Sequence, residues 1–468
     1  MKLRIKRNKD RTLLACIVVA ALLCLGQVLG STPVLLACLL GFLLVVAVAA
    51  YRGKASPVLL FFLPWAPLLK LAPGTFSFYT FALIVVCVIT LWRRHKALNF
   101  SCILLGLLLL VFTLVSKLVE GYGLAASYML YMFLLLLFPM VMEEITERVD
   151  FATLTVFFSM GIICAGISAQ QLVEFSNISR YIDVFSWSVV TRFSGYYGDA
   201  NFYSAHISAA LGGVLIIFLR EEKGWTRNRM LLLGLPLLYC GFLSASKTFF
   251  LVLACMLLLW LLDFLFMRGK VLRKLLIFVG IVAVIAVVAA SGLFAEQWRV
   301  IVFRFNQATS LSSLTTGRTD LWIDYLRALR DDPKLLLLGK GMTNVLISDK
   351  ASHNTVLQIL FQFGVIGALV LLLWEFFYIR GATQNRRLKV RFLEAAVLVT
   401  GAFLPWMSLD LLFFDEFFLM PLYVTAGFLY AQKESARRPA QLGERTEQSA
   451  PGTEEKHENP MDPSQEGS

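Results

Sequence analysis

Apolar positions run too long along this chain for a soluble core, most clearly from Leu13 to Leu29, Leu272 to Ala290 and Val356 to Trp374. Such runs match a bilayer hydrocarbon layer of roughly 30 Å at about 1.5 Å rise per residue. Read along the whole chain, the pattern predicts about 12–14 transmembrane helices. Their cores fall near 12–30, 33–50, 57–71, 75–92, 100–118, 124–142, 151–171, 200–219, 230–245, 248–267, 274–292, 354–379, 392–409 and 414–431. Pro57, Pro64, Pro67 and Pro73 interrupt the third of these, which is expected to be re-entrant or interfacial. The expected fold class is an all-α polytopic membrane protein.

Polar positions orient the bundle. Basic clusters at Lys2–Arg11, Arg52/Lys54, Arg93–Lys96, Arg220–Arg229, Arg268–Lys274, Arg380–Arg391 and Lys433–Arg438 all fall on one side of this count. By the positive-inside rule that side is the cytoplasm, with both termini on it. A basic head before the first apolar run fits a signal peptide, but a second run, Val34 to Ala50, follows at once behind a Gly30-Ser31-Thr32-Pro33 turn. A retained helical hairpin fits that arrangement better. Three parts follow: transmembrane helices over 1–150, a second transmembrane region over 151–431 with an extracytoplasmic loop at 293–353, and a tail at 432–468. The tail is rich in Glu, Pro, Gln, Ser and Gly and is expected to be disordered in the cytoplasm.

Composition narrows the classes. The 468 residues are 58% hydrophobic and only 16% charged, which excludes a soluble α/β enzyme. The net charge of +12 sits on helix flanks, where it sets orientation and meets lipid headgroups; nucleic acid is not an expected partner. All eight cysteines lie in apolar stretches without C-x-x-C spacing and read as packing residues. No internal repeat is evident, which speaks against a transporter with inverted symmetry.

The long loop contains a helical pattern. Leu321, Trp322, Tyr325, Leu326 and Leu329 share one face, opposite Asp320, Asp324, Arg327 and Asp331. An amphipathic helix is expected there, on the membrane surface or over the bundle mouth.

Four polar constellations gather on the non-cytoplasmic side. The first holds Arg192, Asp199 and Asn201, where Asp199 or Asn201 can N-cap the following helix. The second is Ser244-Ala245-Ser246-Lys247 at a tight helix junction, where Lys247 either snorkels or faces a polar cavity. The third is Gly317-Arg318, and the fourth Ser352-His353-Asn354. Asn354, Gln358 and Gln362 recur every four residues as a polar stripe, expected to face protein or a wet cavity. Of the other histidines, His206 lies inside a span and reads as a hydrogen-bonded packing residue. Each constellation alone has a bland reading as cap or surface charge. Together they suit departure of a polyprenyl pyrophosphate: Arg192, Lys247 and Arg318 bind the diphosphate, and His353 deprotonates or orients a sugar hydroxyl. No D-x-D or His/carboxylate cluster faces outward, so a mechanism without metal or other cofactor is expected. Asp410, Asp415 and Glu416 lie near the outer end of the last hairpin, but only topology links them to His353 and they stay outside the expected site.

The stretches RFSGYYGDANF (192–202), LSASK (243–247), GRTDLW (317–322), DPKLLLLGKG (332–341) and SHNTVLQILFQFGVIG (352–367) resemble the O-antigen ligase / O-antigen polymerase superfamily in order and spacing. The resemblance covers roughly residues 190–380. It implies a GT-C-like bacterial membrane glycosyltransferase, inverting and metal-independent, in the cytoplasmic (inner) membrane. The implied donor is an undecaprenyl-pyrophosphate-linked glycan and the acceptor a glycan or glycolipid. By matching motif, His353 corresponds to the family's essential histidine, and Arg192 and Lys247 to its diphosphate-binding arginines. Two positions depart: Ser246-Lys247 stands where Ser-Arg is common, and Ala200 where proline is usual. Lysine keeps the charge and loses the planar fork. Ligase and polymerase, in O-antigen, capsule or teichuronic acid-type pathways, remain alternatives; a lipid-linked glycan flippase is the alternative from another class.

Overall fold

The computed structural model describes most of residues 2–447. Outside the description lie 448–468, 267–278, much of 280–289 and shorter stretches such as 121–125, 182–184, 221–224, 307–309, 343–346 and 384–389. The architecture is an all-α polytopic membrane bundle. Among the described residues, five helices are long and apolar enough to cross a bilayer: Arg11–Leu29, Thr32–Tyr51, Phe151–Leu172, Ala200–Phe218 and Thr355–Ala382. Seven shorter apolar helices accompany them, and the span expected at 274–292 lies largely outside the described residues.

The chain opens with α1 (Lys2–Leu29) and α2 (Thr32–Tyr51), joined through Gly30, whose φ of 64° is open to glycine without strain. Next comes the proline-interrupted segment. It is a short helix, α3 (Ala55–Phe62), passing into a 3-10 turn at Leu63–Trp65 and then irregular chain, and it is buried almost throughout. Non-helical backbone is tolerated at such depth only where protein satisfies it. Here Gln27 Nε2 donates to the carbonyls of Leu68 (2.9 Å) and Lys70 (3.1 Å), and the Tyr79 hydroxyl donates to Leu59 O at 2.7 Å. A Cβ on Gly161 would lie 2.0 Å from Phe61 O, so the close crossing at that point needs glycine.

Then follow α4 (Phe78–Arg94), α5 (Phe100–Glu120), α6 (Ala126–Arg148) and α7 (Phe151–Leu172). A one-turn helix, α8 (Ser176–Ser179), and an antiparallel hairpin of β1 (Phe185–Trp187) and β2 (Val190–Arg192) form the connection to α9 (Ala200–Arg220). This hairpin, with an isolated antiparallel bridge between Ile347 and Lys350, departs from an all-helical reading, and it ends on Arg192. Helices α10 (Trp225–Leu243) and α11 (Lys247–Phe266) meet at a tight turn. The long loop supplies α12 (Ala295–Asn306), α13 (Arg318–Asp331) and α14 (Pro333–Leu338). Finally come α15 (Thr355–Ala382), α16 (Phe392–Phe403) with a 3-10 turn at Leu404–Ser408, and α17 (Glu416–Glu447). The last helix runs on to Glu447, past the expected boundary at 432, through a stretch containing the helix formers Ala, Gln, Glu, Lys and Arg.

Aromatic polar groups tie the helices together. Trp374 Nε1 donates to Leu135 O (2.8 Å), Tyr203 OH to Ile162 O (2.9 Å) and Tyr378 OH to Phe418 O (3.0 Å). Each supplies a large apolar body and a satisfied polar tip, the form in which Tyr and Trp enter a core.

The amphipathic α13 packs over the bundle, with Leu321, Tyr325 and Leu329 buried against Leu357 and Phe361 of α15. Its buried stripe is narrower than the sequence suggests. Leu326 is 52% exposed, because only positions spaced by four face α15. The loop is also locked through its backbone. Helix α15 is kinked at Gly364 (φ 63°), and Lys340 N–H and Gly341 N–H donate to the carbonyls of Phe361 (2.9 Å) and Gln362 (2.6 Å) beside the kink. A Cβ on Gly339 or Gly364 would come within 2.4 Å of the opposing backbone.

Gly364→Ala is therefore expected to destabilise the protein by at least the ~1–3 kcal/mol of a strained left-handed residue, because backbone must also move. Gly41→Ala, in a helix with open space around it, is expected to be neutral or slightly stabilising. Thermal unfolding of the two purified variants in detergent checks this; equal midpoints contradict it.

Candidate active site

A cavity of about 1210 Å³ opens at the end of the bundle beneath the long loop. Arg192, Asp199, Asn201, Lys247, Arg318 and His353, from five separate parts of the chain, all line it. Asn354 and Gln358 do not.

Each lining residue is held by local geometry. Asp199 Oδ1 accepts the Asn201 N–H at 2.7 Å, the N-cap expected for α9, while the carboxylate still borders the cavity. Asn201 Oδ1 accepts from the Ser246 hydroxyl at 2.8 Å, and Ser204 Oγ reaches Ser246 Oγ at 3.2 Å. These bonds fasten the α10–α11 turn, with Ala245 at φ 45°, against α9. They place Lys247 at the first position of α11, facing the cavity, while Thr248 donates to Ser408 at 3.0 Å. Arg192 enters from the hairpin, its Nε 3.4 Å from Ser244 O, and Phe193 N–H donates to Leu243 O at 3.1 Å.

Arg318 sits at the start of α13, just after Thr316 (φ 60°) and Gly317 (φ 78°). Burial lowers its pKa from the ordinary guanidinium value, opposed by the nearby Asp199 and Asp410 carboxylates. A guanidinium stays cationic through any such shift.

His353 occupies the junction between loop and α15 with φ 48°, a conformation a β-carbon-bearing residue adopts only under constraint. The constraint is Asp410. Its Oδ2 accepts the His353 backbone N–H at 2.8 Å and lies 3.6 Å from His353 Nδ1, and its Oδ1 accepts the Ser352 hydroxyl. The imidazole is nonetheless 43% exposed and reachable from the cavity. Trp322 Nε1 donates to Ser352 O at 3.0 Å and Tyr325 OH to Lys350 O at 2.8 Å, so α13 braces the same turn from above.

The polar stripe on α15 is structural in its contacts. Asn354 Oδ1 caps the helix by accepting from Val356 N (3.0 Å) and Leu357 N (3.3 Å). Gln358 Oε1 accepts from Leu412 N at 3.0 Å, and Thr355 bonds both Leu409 O (2.7 Å) and Leu411 N (3.1 Å). Together they stitch segment 409–412 to the start of α15, which puts Asp410 under His353. Sequence reasoning left Asp410 out, and no local motif marks it. Asp415 and Glu416 separate from the site: Asp415 receives Thr80 Oγ1 at 3.3 Å, and Glu416 receives the Tyr197 hydroxyl at 2.6 Å. His206 pairs with Glu416, as its expected packing role requires. Among the described residues no group of three or more His, Cys, Asp or Glu could hold a metal ion.

The family model described as O-antigen ligase matches residues 230–372. No curated protein matches the chain. The matched stretch contains Lys247, Arg318 and His353 but neither Arg192 nor Asp410, which the fold brings to the same cavity. Residues 230–372 thus carry an O-antigen ligase domain, and the superfamily resemblance read from the motifs holds there.

Proposed function

We propose that this protein is a membrane glycosyltransferase of the O-antigen ligase type. It moves a glycan from undecaprenyl pyrophosphate to an acceptor sugar at the outer face of the bacterial cytoplasmic membrane. The observation that carries this reading is the convergence of Arg192, Lys247 and Arg318 with His353 around one cavity. Three fixed cations suit a diphosphate whose charge grows as it leaves, and such preorganised groups cost no rearrangement during reaction.

In the proposed step, the acceptor hydroxyl oxygen attacks the anomeric carbon from the face opposite the diphosphate. The new C–O bond forms as the bond to the diphosphate oxygen breaks, giving inversion, and the electron pair leaves on that oxygen beside the cations. The hydroxyl proton passes to His353 Nε2. Asp410, next to Nδ1, favours the tautomer with Nε2 free and stabilises the imidazolium that results. The basic clusters at the other end of the helices, where Arg93 lies over the Tyr51 ring, support placing the cavity outside. A flippase is disfavoured, since its ionisable groups belong near the bilayer midplane rather than at one mouth. Polymerases of the superfamily share donor and chemistry, so the acceptor distinguishes the two.

His353→Ala is expected to lower transfer by about 10²–10⁴-fold and Arg192→Ala by about 10²-fold or more, with unfolding temperatures near wild type. Lys247→Arg is expected to stay active. Wild-type-like glycan display in cells making His353→Ala at normal levels contradicts the assignment. Asp410→Asn, which keeps an acceptor for the His353 backbone, is expected to lose about 10²-fold in turnover. Asp410→Ala also strands polar groups and loses about 1–3 kcal/mol of stability. Reconstitution with a lipid-linked repeat unit gives one discrete product on a distinct acceptor for a ligase and a ladder for a polymerase.

A further inference from the structure

Beneath the large cavity lies a second, small one of about 10 Å³, bordered by His206, Trp406, Glu416, Leu411 and Met420 among others. Its polar atoms do not balance within the protein. Glu416 Oε1 receives the Tyr197 hydroxyl at 2.6 Å and faces His206 Nε2 at 3.0 Å, so Nε2 carries the imidazole hydrogen. Nδ1 is the ring's remaining hydrogen-bonding atom. Both His206 Nδ1 and Trp406 Nε1 are buried with no hydrogen-bond partner among the described residues. The His206 side chain is 1% exposed, and aromatic rings close around it: Tyr197 at 5.0 Å and Phe158 at 6.0 Å.

The cavity therefore brings together two buried ring nitrogens without partners among the described residues. Dry voids in proteins are lined by apolar atoms, and each buried polar group left unmatched costs about 1–3 kcal/mol. We infer that this is a binding site for a single internal water, which accepts the Trp406 Nε1–H and donates to His206 Nδ1. One water satisfies both groups with the proton placement that Glu416 imposes. The space is about one water in size. A protein group could not serve both atoms without adding a side chain that the lining lacks.

The water links α9 through His206 to the Leu404–Ser408 turn through Trp406, and His206 in turn pairs with Glu416 of α17. The turn carries Ser408, which borders the large cavity, and with the start of α17 it bounds the segment that carries Asp410.

Synchrotron radiolysis of the full-length protein in detergent tests the site without any turnover. Bound waters generate hydroxyl radicals in place and label side chains beside them, even where bulk solvent does not reach. Met420 is 2% exposed and borders the small cavity; Met407, 42% exposed, reports bulk solvent. Met420 is expected to label within about tenfold of Met407, and His206→Leu, which removes the acceptor, to cut Met420 labelling at least about fivefold with Met407 unchanged. Met420 unlabelled in the wild type, or labelled as fast in folded His206→Leu as in the wild type, overturns the inference. If His206→Leu does not fold, the wild-type Met420 result decides alone. Because no glycan transfer is measured, failure here leaves the proposed function untouched.

Discussion

A backbone N–H or C=O that leaves a helix inside a membrane bundle finds no water to replace its partner, and each unmatched group costs several kcal/mol. The breaks in this bundle stand where that constraint is met by a side chain or by another stretch of backbone. The irregular chain after Trp65 is matched by Gln27, the α10–α11 turn is strapped by Ser246 to Asn201, and the kink at Gly364 is filled by the N–H groups of Lys340 and Gly341. The His353 junction, strained at φ 48°, is held by Asp410. On the proposed reading, these breaks aim the chemistry, and their partners make the aim rigid.

The same logic governs charge. Arg192, Lys247, Arg318 and Lys350 border one cavity, and like charges at close quarters repel strongly where water is scarce. Asp199 and Asp410 offset part of that cost around Arg318, and each carboxylate has a second task, as helix cap and as histidine partner. Cations held this way are in place before an anion arrives. On the proposed reading, the leaving diphosphate gains most because its charge rises during reaction while the groups around it stay fixed.

How much of this was legible in sequence differs by level. Hydrophobic run length gave the helical membrane fold, and the residue types at 192, 247, 318 and 353 gave the cations and the histidine that the fold brings together. Prolines at 57, 64 and 67 marked a broken segment, but its burial depended on Gln27 and Gly161, distant partners that periodicity cannot reveal. Leu326 followed the amphipathic pattern and is exposed, because pattern alone does not say how wide a stripe the neighbour covers. Asp410 was seen and set aside. Its role depends on Gln358 and Thr355 stitching 409–412 to α15, a long-range contact with no sequence signature. The Asn354–Gln358 stripe pointed to something polar, and that proved to be a helix cap and a backbone brace.

The central claim is that Arg192, Lys247 and Arg318 form one diphosphate site beside His353. Native mass spectrometry of the purified full-length protein with undecaprenyl pyrophosphate and undecaprenol tests it directly. The account predicts that the wild type retains the pyrophosphate lipid in clear preference to the alcohol, and that replacing the three cations with alanine removes the preference while the folded protein still carries bulk lipid. Equal retention of the two lipids by the wild type, or an unchanged preference in the triple variant, would contradict it.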